Sequence, residues 1–108
     1  MKTEKILMTV TLTAAAALPR FRLVSYAGAP AVAVDRALGV PVTNFDTGEQ
    51  AGIATHGELL VEAGAAVAVG AQVQSDASGR VITLAAGVAF GVARDAAGAA
   101  GEIIRVLV

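Results

Sequence analysis

The chain has no cysteine and no tryptophan, and only one histidine, one tyrosine and three prolines in 108 residues. Without cysteine it can form neither a disulfide framework nor a thiolate zinc site. One histidine among scattered carboxylates does not supply the donors a metal centre needs, and no cofactor motif is present, so none is expected. Charge is scarce as well: 16% of residues are charged, against roughly 25% in ordinary soluble domains. Eight Lys and Arg against nine Asp and Glu leave a net charge of −1. That is no electrostatic footprint for DNA or RNA, so nucleic acid is not an expected partner. The apolar runs 63–71 and 85–93 contain glycine and fall well short of the roughly 18 to 20 residues of a spanning helix, so no membrane partner is expected.

What is abundant is aliphatic. Hydrophobic residues make up 56% of the chain, more than the interior of one small domain can hold. Some of this apolar surface is therefore expected to face other subunits or a partner, as in an assembly component. The opening MKTEKILMTVTLTAAAALP has a secretory signal as its alternative reading. Glu4 among the lysines and threonine at every second position argue against that alternative.

Residues 6–12 read as a strand. Ile6, Met8, Val10 and Leu12 share one face and Leu7, Thr9 and Thr11 the other, the period of two that a pleated chain requires. Pro19 biases Leu18 to extended geometry, so residues 14–17 are predicted to bend rather than coil. A second strand is predicted over 20–26, with Phe21 and Leu23 on one face and Arg20, Arg22 and Val24 on the other. Residues 31–34 form a short β-prone run, and Pro41 marks 38–43 as an edge or connection. NFDTG at 44–48 is a turn by composition. Residues 49–55 predict another strand; Gly57 permits a bulge or sharp bend, and 58–62 continue extended. The alternative for 57–69 is one short helix, favoured by Glu, Leu and Ala and weakened by Gly57, Gly64, Gly70 and the valines.

The clearest hairpin spans 62–84. One strand ends near Ser75, Asp76 opens a turn, Gly79 takes a positive φ, and residues 80–84 return as a β-branched strand. A strand over 88–93, a polar glycine-rich loop over 94–101 and a last strand over 102–108 complete the chain. The last strand puts Ile104, Val106 and Val108 on one face and Ile103, Arg105 and Leu107 on the other. Short strands at intervals of about 8 to 12 residues predict an all-β fold. The expected architecture is a small compact β-barrel or β-sandwich of short antiparallel strands, one domain over 1–108 with an N-terminal strand or arm over about 1–13.

No stretch places catalytic chemistry. His56, between Thr55 and Gly57, has no nucleophile motif or ligand set to join, and reads as a surface or turn residue. Gly98 and Gly101 share the spacing of a dinucleotide fingerprint's tail, but a strand follows rather than a helix. Glu58 with Glu62, and Asp76 with Asp95, sit where solvated turns or strand ends are expected rather than a cleft. Arg20 and Arg22 read equally as a solvated edge or as polar contacts to a partner.

Several stretches taken in order carry a resemblance: MKTEKILMTVT, RFRLV, TGEQAGIA, VGAQV with SDASGR, FGVA and the closing AAGEIIRVLV. Together they resemble the small capsid cement or head-decoration proteins of tailed bacteriophages, over nearly the whole chain. The resemblance implies a compact β-rich protein on the outer surface of the virion, made in the bacterial host cytoplasm. It also implies the major capsid protein as partner, a homo-oligomer with a trimer favoured and a dimer as alternative, and no catalytic residues. Candidate capsid or subunit contacts are Lys2, Thr3, Glu4, Lys5 and Ile6 of the arm together with Arg20 and Arg22. Two rival readings remain. A biotinyl- or lipoyl-type carrier module resembles the run over 61–73, but the only lysines are Lys2 and Lys5, so its modified lysine is missing. The other rival is a secreted β-rich surface protein.

Overall fold

The structure, a computed structural model, describes residues 2–108. Met1, the first residue of the expected arm, lies outside the described residues. Eight strands form one curled antiparallel sheet, a half-barrel with no helix among the described residues. They are β1 (Lys5–Thr13), β2 (Val24–Ser25), β3 (Ala37–Pro41), β4 (Gln50–Glu62), β5 (Gln72–Ser75), β6 (Val81–Thr83), β7 (Ala89–Ala93) and β8 (Ile103–Leu107). The strand order is β2-β3-β4-β8-β7-β5-β6, and β1 pairs with β4 off this path.

The organising element is β4 rather than the 62–84 hairpin. Thirteen residues long, it carries β1 along one edge, from Gln50 to Glu58, and divides its other edge between β3 and β8. Gly57 lies between the halves, opposite an irregularity in the β1 pairing. Its φ of 121° is open to glycine, and a Cβ there would run into the Lys5 carbonyl. The short helix over 57–69 is thereby corrected. Ladders on both edges hold 57–62 extended within β4, so tertiary pairing overrides the helix propensity of Glu and Leu.

Three further expectations change. The strand over 20–26 shrinks to Val24–Ser25 because Phe21 adopts φ 71°, turning the chain at Arg20 to Arg22. That rare conformation aims the Phe21 carbonyl at the Glu62 N–H, 2.8 Å away, and caps the far end of β4. The 31–34 run is loop, and the edge expected over 38–43 is β3, paired on both sides by β2 and β4 with Pro41 at its last position. The strand before the 76–79 turn begins at Gln72, later than the valines of 67 and 69 suggested.

The turn itself forms as expected. Asp76 Oδ1 accepts from Ser78 N at 2.7 Å and Arg80 N at 3.0 Å, and Gly79 has φ 81°. β8 also follows its alternation, with Ile104 and Val106 buried. Two apolar clusters form the core, and adjacent β4 residues divide between them, Ile53 in one and Ala54 in the other. The larger joins Leu23, Val40, Leu59, Val61, Val73, Val81, Ile104 and Val106 with several alanines. The smaller is Ala14, Leu18, Val24, Ala51 and Ile53, with Val10 and Leu12 of β1 packed against it.

Candidate functional site

Among the described residues every ion pair joins an arginine to a carboxylate. Asp95 holds Arg105 by two side-chain bonds of 2.8 Å and accepts from the Arg105 backbone N–H at 3.0 Å. Those side-chain bonds, above all, hold the Asp95 carboxyl well below the usual carboxylate range against the opposing effect of burial, and they raise Arg105 in turn. Glu58 lies 3.4 Å from both Arg94 and Arg105. Glu62 joins Arg22 and Arg80, and Arg80 also faces Asp76 at 3.6 Å. The paired carboxylates of the sequence are thus separate anchors for loops and strand ends, each neutralised by a guanidinium, and none can serve as a general acid or base facing a substrate. His56 is exposed on β4, its Nδ1 3.0 Å from Thr55 Oγ1. Among the described residues no three His, Cys, Asp or Glu side chains gather to hold a metal ion.

The expected contact residues fall into two places. Lys2, Thr3, Glu4, Lys5 and Ile6 lead into or open β1, which is the first strand of the sheet rather than a detached arm. Lys2 Nζ donates to the Ile103 carbonyl at 2.9 Å, and Glu4 pairs with Arg20 at 3.1 Å. Arg20 also stacks over the Phe21 ring at 4.7 Å and donates its backbone N–H to Asn44 Oδ1. Arg20 therefore belongs with the arm. Arg22 is turned elsewhere, to the Ser78 carbonyl and Glu62, where it ties the hairpin end to β4. The single face expected for Arg20 and Arg22 does not exist, because Phe21 reverses the chain between them.

Sequence reasoning missed the apolar surface beside the arm. Leu7 is 73% exposed, and Ile6, Met8, Val92, Leu107 and Val108 are also open to solvent. Val92 and Leu107 are cross-strand partners. An open groove of about 490 Å³ runs between Lys5, Leu7, Gly57, Glu58, Leu107 and Val108. Alternation alone put Ile6 and Met8 on one face with Val10 and Leu12. The irregular pairing around Met8, where β1 and β4 slip past each other, ends that face at Val10. The one sequence signal was Gly57, the position at which β4 can bend away. A second exposed apolar group, Tyr26, Val32 and Val34, lies on the loop after β2. Such a surface is suited to holding another protein and carries no chemistry of its own.

A family model described as phage cement protein matches residues 1–108. Among curated proteins none matches. Among solved structures, the chain is similar to the head fiber gp8.5 N base of bacteriophage phi29, with TM-score 0.73 and 19% identity over 94% of this chain and 92% of that one. At that identity the likeness establishes the fold.

Proposed function

The chain belongs to the phage cement protein family, and on that premise we propose that it binds the outer surface of the assembled phage head and clamps neighbouring major capsid subunits against the pressure of packaged DNA. Membership makes it a capsid-associated structural protein and not an enzyme. The carrier-module and secreted-protein readings fall with it. The observation that supports the finer reading is the apolar surface of Ile6, Leu7, Met8, Leu107 and Val108, left open outside the two buried clusters of the core. In this reading the whole of 1–108 is one decoration domain, and it acts as a homo-oligomer, a trimer by preference and a dimer as alternative. Lys2, Thr3, Glu4, Lys5, Ile6 and Arg20 flank the contact surface. Arg22 contributes indirectly, by fixing the hairpin end.

The test is reconstitution on undecorated heads. Wild-type protein should bind saturably to the outside and raise the temperature at which heads release DNA. Binding without stabilisation would remove the cementing role; absence of binding would remove the reading altogether. Deleting residues 1–5 removes the Lys2 and Glu4 ties but leaves the rest of β1. Melting should change little, while affinity for heads falls. Full affinity with unchanged melting would show that these five residues take no part in docking.

A further inference from the structure

The outer edge of β1 leaves specific main-chain groups without a partner. Antiparallel partners either exchange both hydrogen bonds or turn both away, so the β4 pairing fixes where each β1 residue points. Gly52 accepts from Val42 N at 3.0 Å on the β3 side, and the Ala54 carbonyl lies against Gly39 of β3. Their partners in β1 are Thr11 and Thr9. The N–H and C=O groups of Thr9 and Thr11 therefore point away from β4. Ala14 N bonds Glu49 O at 2.9 Å and Ala15 N bonds Gly28 O at 2.9 Å, which gives the same alternation by an independent route. Among the described residues no strand lies beyond β1, and nothing pairs with the main chain of Thr9 or Thr11 on that side.

Edges of this kind are normally guarded by charge or proline. From Ile6 to Leu18 there is neither. We propose that the Thr9 and Thr11 edge of β1 accepts an extended segment of the major capsid protein as an added strand. This rests on the cement reading of the preceding subsection. A second copy is the poorer occupant on geometric grounds. The end strands of the path are too short to supply the matching edge, β6 having three residues and β2 two. Pairing β1 with a second β1 about a twofold at Thr9 or Val10, which sets the open groups of Thr9 and Thr11 against the other copy, would lay Lys5 to Leu7 of one copy along Thr11 to Ala15 of the other. There the Gly28 loop already holds the edge through Ala15, and a Cβ at Gly28 would lie 2.7 Å from the Thr13 carbonyl. A short segment from another chain, stopping before Thr13, meets no such block. Main-chain pairing supplies the affinity, and the exposed Leu7, beside the groove, takes an apolar side chain of the segment.

The register makes the test selective. Thr11→Pro removes an N–H that faces outward and spares the β1–β4 ladder, whereas Val10→Pro removes one that faces β4. Thr11→Pro should melt within about 5 °C of wild type and bind undecorated heads at least tenfold more weakly; Val10→Pro should unfold. Exchange of individual amides on the wild-type protein needs no variant: Thr9 and Thr11 should exchange fast when free and become protected on heads. Wild-type binding with no added protection at Thr9 and Thr11 overturns the inference while leaving the cement reading intact. Protection of both amides in the free protein at high concentration, lost on dilution, assigns the edge to a second copy and also overturns it. Heads that take up no wild-type protein sink the cement reading on which the inference stands.

Discussion

β8 and β1 are built alike and buried differently. Both alternate aliphatic residues, both pair antiparallel with β4, and both lie near an end of the chain. Yet Ile104 and Val106 of β8 are fully buried, whereas Ile6, Leu7 and Met8 of β1 are 37%, 73% and 50% exposed. The difference lies in the neighbours. β8 sits between β4 and β7, so both its edges are paired and its inner face closes over the large cluster. β1 has β4 alone, and its first half pairs irregularly with β4 around Gly57 and His56. The same amphipathic pattern thus does two jobs: it holds the fold together at β8 and presents surface at β1.

The contrast can be broken most forcefully at Ile104. Ile104→Ala should cost about 2 to 5 kcal/mol, the range for truncating a fully buried aliphatic side chain, and chemical denaturation would measure it. A cost near zero would mean that the β8 face is not the core. The next largest effect is expected at Gly79 on the same half of the molecule. Its φ of 81°, with the Leu23 carbonyl 3.0 Å from where a Cβ would stand, leaves a β-branched residue no relaxed conformation. Gly79→Val should destabilise by roughly 1 to 2 kcal/mol, and an unchanged melting midpoint would contradict the turn.

A smaller, pH-dependent effect should separate the strands again. Asp95 pins β8 through Arg105, and its carboxyl is depressed in the folded state, first by those side-chain hydrogen bonds. A group depressed on folding stabilises above its unfolded value, about 3.9 for Asp, and that contribution is lost as the pH falls below it. Both side chains keep partial solvent access, so the effect is modest. Asp95→Asn should lower stability at neutral pH and flatten the loss seen in melts taken downward from about pH 5. An equally steep acid loss in the variant would move the cause to other carboxylates. The smallest effect belongs to β1. Leu7→Ala should change stability by no more than about 0.5 kcal/mol, as for exposed positions, while weakening attachment to heads. A large loss of stability would place Leu7 in the core and end the contrast.

Much of this was legible beforehand. The Asp76 turn, the positive φ of Gly79, the irregular pairing at Gly57 and the inward face of β8 all follow from local chemistry, in which turn residues and period-two alternation act over a few positions. The strand expected over 20–26 was not recoverable, because Phe21 enters left-handed geometry to meet the Glu62 N–H, a partner 41 positions away in the chain. The split of Arg20 from Arg22 follows from the same reversal. Of the candidate contacts, Lys5 and Ile6 lie at the open surface, whereas Leu7, Leu107 and Val108 were not singled out. Nothing in their own neighbourhoods distinguishes a presented aliphatic residue from a buried one.

By itself the sequence determined the all-β character and the turn positions, since each of these depends on residue type and near spacing. Tertiary structure alone decided that β4 is the spine and that β8 has two neighbours and β1 one. It alone decided that Thr9 and Thr11 turn their main chain outward. The physical reason is that side-chain alternation reports which face of a strand is apolar, whereas every residue other than proline carries the same N–H and C=O, so an unpaired edge is written only in the register between strands distant in the chain.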